Sequence, residues 1–124
     1  MRIFKNAWFE RFARKQKLED AALRDAITRA EQGLIDADLG EGVIKQRVAR
    51  SGQGKSGGYR TIILYQQAHR AFFIYGFAKS QRRNISGDEK AAFKKAAQHI
   101  LDLSEEHLDE MIRKGQFSEV DDDG

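Results

Sequence analysis

Apolar residues change their spacing twice along this chain, and each change marks a different kind of element. From Asn6 onward Trp8, Phe9 and Phe12 recur at helical intervals, which gathers side chains on one face. Asn6 suits an N-cap, segment 2–5 before it reads as a short strand, and Arg11, Arg14, Lys15 and Lys17 fall to the other side. A second helix is predicted from about Glu19 to Gln32, with Leu23, Ala26, Ile27 and Ala30 inward and Gly33 at the C′ position. Two helices joined by so few residues pack as an antiparallel hairpin.

After Gly40 the period becomes two. In Val43–Ala49, Ile44 and Val48 alternate with Lys45 and Arg47, the pattern of a half-buried strand with a basic outer face. Tyr59–Tyr65 and Ala71–Ala78 are β-branched and aromatic enough for central strands, and Gln66–Arg70 joins them as a hairpin. An antiparallel meander follows. Alternation puts Phe73, Tyr75 and Phe77 on one sheet face, more as core than as stacking platforms for bases. Tyr75 is the one best placed to bring a hydroxyl near the basic side.

Helical spacing returns after Ser86-Gly-Asp-Glu89, a capping box. Its stripe is Phe93, Ala96, Ala97 and Ile100. Ser104 is placed to cap a last helix with Leu108, Met111 and Ile112 inward and Gly115 as its stop, and Gln116–Val120 reads as a short edge strand. The class is α+β: two N-terminal helices packed on a small twisted antiparallel β-sheet, followed by C-terminal helices. One domain spans 1–120, and 121–124 is an acidic tail.

Composition narrows the functional classes. A chain of 124 residues, 40% hydrophobic and 33% charged, has the make-up of a small soluble globular domain. No apolar run approaches the ~20 residues of a membrane span, and the N-terminus lacks a signal-peptide core, so a cytoplasmic location is expected. With no cysteine there is no disulfide framework and no thiolate metal site. His69, His99 and His107 are too scattered to gather a metal, and no cofactor is expected.

Charge changes the picture more. The net charge is only +3, yet from Gly42 to Gly87 there is no acid against nine cations: Lys45, Arg47, Arg50, Lys55, Arg60, Arg70, Lys79, Arg82 and Arg83. Of 22 Lys and Arg, 13 remain elsewhere, set against all 19 acids. Such a block invites phosphates, RNA or DNA above all. Its densest part, Arg47–Arg60, also holds Gly52, Gly54, Gly57 and Gly58, which let a backbone approach a ligand closely. Gly54-Lys55-Ser56 looks superficially like a nucleotide P-loop, but that motif needs a glycine where Ala49 stands and should open a helix, whereas this segment runs into a strand.

The segment Val48–Arg60, with Tyr75-Gly-Phe-Ala-Lys79 and Asn84-Ile-Ser-Gly-Asp-Glu89, resembles the RelE-like toxins of bacterial type II toxin–antitoxin systems, most of all the HigB-type branch with a Gly-Lys-Ser-Gly-Gly loop. The resemblance covers residues 1 to about 103 and leaves the C-terminal stretch without a parallel. It implies a compact microbial-ribonuclease-like fold and a metal-independent messenger ribonuclease that enters the 30S A site of the ribosome. The ribose 2′-OH would attack its own 3′ phosphate, leaving a cyclic phosphate and a 5′-OH. A helix-turn-helix antitoxin is the implied partner.

That reaction needs a base, cations on the pentacoordinate phosphate and an acid for the leaving oxygen. By the resemblance, Arg60 stabilises the transition-state charge, and Lys55 and Lys79 are the candidates for proton transfer, since crowded cations lower a lysine's pKa. Arg82 or Arg83 serves the leaving group, and Arg47 and Arg50 hold RNA backbone. The chain departs from the best-described relatives in having no tyrosine after Tyr75 and no histidine between His69 and His99. Two alternatives remain open: a ParE-like gyrase inhibitor, and a non-catalytic module that binds RNA or antitoxin through its basic face.

Overall fold

The computed structural model describes residues 1–50 and 57–120. The order is β1 (Arg2–Asn6), α1 (Ala7–Gln16), α2 (Asp20–Glu31), β2 (Ala37–Gly40), β3 (Val43–Val48), β4 (Tyr59–Gln66), β5 (Arg70–Ala78), α3 (Gly87–Ile100), α4 (Glu105–Arg113) and β6 (Phe117–Glu119). The class is α+β, with four helices on a six-stranded sheet of order β2-β3-β4-β5-β1-β6.

The sheet is mixed, not purely antiparallel. β3, β4 and β5 form the meander, but β1 lies parallel to β5 with Ile3 opposite Ala71 and Phe4 opposite Phe72. Such a pairing joins strands far apart in sequence, so local periodicity cannot reveal it. The short, polar Ala37-Asp-Leu-Gly40 adds a strand the pattern does not mark, and β6 closes the other edge against β1.

Two cores sandwich the sheet. Phe9, Leu23, Ala26, Ile27, Ile44, Val48, Ile63 and Phe73 build one, from α1, α2 and the sheet face beneath them. Phe4, Val43, Ile62, Leu64, Phe72, Ala97, Leu108 and Phe117 build the other, beneath α3 and α4. Gln46, fully buried, crosses the first: its Nε2 donates to the carbonyls of Ala26 at 3.0 Å and Leu34 at 3.2 Å, while its Oε1 accepts from the Asp36 N–H at 2.7 Å. One side chain thereby satisfies three backbone groups where the chain leaves α2.

A register shift at Ile74 corrects the expected placement of the β5 aromatics. Ile62 faces Tyr75 while Ile63 faces Phe73, so the extra residue reverses the alternation. Phe73 therefore points into the first core, its ring 5.1 Å from that of Phe9. Tyr75 turns to the opposite face, where it packs with Phe93. The carbonyl of Ile74 accepts from Asn6 Nδ2 at 3.2 Å, and the same Asn6 caps α1 through Phe9 N–H at 2.7 Å.

The stretch after residue 103 has a structural role. Arg70, almost fully buried, donates to the Leu103 carbonyl and to Glu105 at 2.8 Å, and Arg2 grips Glu105 and, bidentately, Glu119. These ties pin α4 and β6 to the far end of the sheet.

Candidate functional site

The sheet register gathers the basic residues at the end where β3 finishes and β4 begins. Arg47 on β3 faces Arg60 on β4, which in turn faces Phe77 on β5. Like charges set opposite each other on adjacent strands repel, so this row is a charge concentration that folding alone would not favour. Arg47 is held by its backbone, with its N–H donating to Asp36 at 2.7 Å and its carbonyl accepting from Arg29. Its side chain is exposed. Arg60 is half-buried, and its Nη1 is buried with no hydrogen-bond partner among the described residues. An unsatisfied buried guanidinium nitrogen is costly.

The close approach of the strands here depends on Gly58. A Cβ at that position would lie 2.1 Å from the Val48 carbonyl oxygen. No side chain fits. Beside it, Arg50, Gly57, Tyr59 and Lys79 line a crevice of about 220 Å³, so the end of β3 and the turn after β5 are brought together around one opening. Lys79 and Arg50 are exposed and make no ion pair among the described residues. Lys55 lies outside the described residues. Arg83 is exposed and is not drawn into the row of Arg47 and Arg60.

Arg82 is engaged within the fold. Its guanidinium is bound by Glu89 in a bidentate ion pair, donates to the Tyr75 hydroxyl at 2.8 Å and to the Asn84 carbonyl at 2.8 Å. Those Glu89 hydrogen bonds, and then the Tyr75 one, raise the Arg82 pKa. In return Arg82, followed by the Ser86 N–H, holds the Glu89 carboxyl down to about 2. Glu89 is also the capping-box residue, accepting from Ser86 N–H at 2.7 Å while Ser86 Oγ accepts from Glu89 N–H at 3.1 Å. Arg82 is therefore a strut between β5 and the start of α3. Lys45 is similarly engaged, donating to Asn84 Oδ1 at 3.2 Å.

Among the described residues of the block, two cations are thus met by acids from outside it, Arg82 by Glu89 and Arg70 by Glu105. Arg47, Arg50, Arg60, Lys79 and Arg83 have no ion pair among the described residues.

A second feature is not visible from apolar spacing. On α1, Trp8, Arg11, Phe12 and Lys15 stand at i, i+3, i+4 and i+7, and all four line a groove of about 540 Å³ that Tyr75, Phe77 and Arg82 close from the sheet side. The cations share a face with the aromatics instead of lying opposite them. Phe9 and Ala13 face the core instead. The helical spacing is present in the sequence, but polarity alone sends every apolar residue to the core.

No helix among the described residues is long and apolar enough to cross a membrane, and no three His, Cys, Asp or Glu among them gather as metal ligands. A family model described as the RelE toxin of the RelE/RelB toxin–antitoxin system matches residues 1–120. It extends past the stretch to residue 103 that carries the resemblance, and it includes α4 and β6. No curated protein matches the chain.

Proposed function

The chain belongs to the RelE toxin family of toxin–antitoxin systems, and from that premise we propose that it is a ribosome-dependent messenger endoribonuclease of the HigB-like branch. It cuts the codon exposed in the A site and is restrained by a helix-turn-helix antitoxin. The observation that carries this reading is the buried Nη1 of Arg60, without a hydrogen-bond partner among the described residues, on the residue set opposite Arg47 in the sheet. A phosphate seated there meets the Arg60 guanidinium, which stabilises the charge that builds up as the 2′ oxygen bonds to phosphorus, while Arg47 holds the adjoining backbone.

The step balances within the RNA strand. The 2′-OH loses its proton to a base, a 2′-O–P bond forms, the P–O5′ bond breaks, and the 5′ oxygen takes up a proton. Lys79, at the crevice beside Gly58, and Lys55 are the groups we assign to proton transfer. Arg47, Arg50 and Arg83 hold the messenger backbone. Arg82 and Tyr75 take a positioning role, since Glu89 already neutralises the arginine.

Primer extension in a reconstituted bacterial translation mixture tests this. Cuts in phase with codons, seen only with ribosomes and absent with Arg60→Ala, are expected. A folded, antitoxin-free protein that leaves the messenger intact would overturn the reading and direct attention to DNA gyrase or to a purely binding role.

A further inference from the structure

We propose that the groove between α1 and the end of β5 is a second nucleotide subsite. It stacks one base of the messenger strand against Trp8 and holds the adjoining phosphate with Arg11 and Lys15. The identity of the strand rests on the ribonuclease reading; the groove's chemistry does not.

Trp8 is 38% exposed, although it anchors a run of stacked rings. Its centroid lies 5.2 Å from Phe12 at an interplanar angle of 14° and 4.7 Å from Tyr75. Part of the indole is open to solvent, and base stacking on aromatic rings tolerates any base because every base has a π-face. The floor is shaped to keep this ladder close to the sheet. At Gly76, also on the groove wall, a Cβ would come within 2.6 Å of Phe12 Cε2.

Charge favours a polyanion. Arg11 and Lys15 sit one and two turns beyond Trp8, both exposed and without an ion pair among the described residues. Glu10, the nearest acid on the same helix, is engaged with Arg14 at 3.3 Å. The volume of about 540 Å³ falls in the range of small-ligand sites and suits one nucleotide. Two exposed cations beside the aromatic wall favour RNA over a segment of the antitoxin. Continuity points the same way: Phe77 on the groove wall is the register neighbour of Arg60. A strand seated on Arg60 therefore reaches the groove with its next nucleotides.

Trp8 is the chain's one tryptophan, so its emission reports the groove directly. Titration with a non-cleavable 2′-O-methyl hexaribonucleotide should quench it saturably. Arg11→Glu combined with Lys15→Glu should weaken that binding by about tenfold or more at low salt, and Arg60→Ala should leave the quench in place. Absence of saturable quenching in the folded protein, quenching that survives the charge reversal, or quenching by purified antitoxin alone would each overturn the proposal. On programmed ribosomes Trp8→Ala should raise KM with kcat within about twofold, a loss of the order one stacked base supplies. The effect should vanish when the messenger carries an abasic nucleotide at one position beside the cut codon. If it persists at every flanking position, the base on Trp8 does not come from the messenger and the proposal fails. Should wild type not cut at all, the ribonuclease reading falls, and the emission titration alone decides the groove.

Discussion

Arg60 is half-buried, and its Nη1 has no hydrogen-bond partner among the described residues, an arrangement that costs stability in the free protein. Arg60→Met keeps the bulk and removes the orphaned donor. Thermal unfolding should show a melting temperature equal to or above that of wild type, and a drop of several degrees would mean that Arg60 is a structural residue. Glu89 is the second informative position. Its folded pKa of about 2 lies below the ordinary 4.5, so the Arg82 pairing contributes stability fully present above about pH 4.5 and lost as pH falls through about 2. NMR titration of the Glu89 carboxyl should find its midpoint near that low value. In Arg82→Lys, which cannot reproduce the bidentate geometry, the midpoint should move up toward the ordinary range. A midpoint near 4.5 in the wild type would contradict the strut.

Among the elements, β5 decides the most. Phe73, Tyr75 and Phe77 alternate in the sequence, and nothing there marks Ile74 as the extra residue, because the shift is fixed by pairing with β4 and by Asn6 taking the Ile74 carbonyl. The caps are legible, by contrast, since Asn6, Ser86 and Ser104 each accept from an N–H three residues on, an interaction between near neighbours that sequence spacing alone encodes. Gly76→Ala should force the Phe12 ring away and loosen α1 from the sheet, a destabilisation of about 1–3 kcal/mol by urea unfolding. Gln46→Leu should cost a similar ~1–3 kcal/mol, because it removes the side-chain bonds to the Leu34 carbonyl and the Asp36 N–H. Either change passing without loss would remove the packing argument made for that residue.

Across the whole molecule, the charge asymmetry visible in the sequence survives folding in reduced form. The acids lie outside residues 42–87, yet Glu89 and Glu105 return to neutralise Arg82 and Arg70. Charge counting shows the block but not these long-range pairs. Nor can it show that α1 supplies a further cationic rim through Arg11 and Lys15. What remains is a basic end, built from Arg47, Arg50, Arg60 and Lys79, that should bind single-stranded RNA with strong salt dependence. Removing one cation that touches a phosphate should flatten the slope of log K against log salt by roughly 0.7. Arg47→Ala should show that flattening with its single-turnover rate at saturation preserved; an unchanged slope would mean Arg47 does not touch phosphate.

The most direct trial of the account is the single-turnover cleavage rate on programmed ribosomes at saturating toxin, wild type against Arg60→Met. A fall on the order of 100-fold or more, as for loss of one oxyanion-type donor, with no loss in melting temperature, is the predicted result. A rate within twofold of wild type would show that the charge of the transition state is stabilised elsewhere, and the assignment of the site to the Arg47–Arg60 row would be wrong.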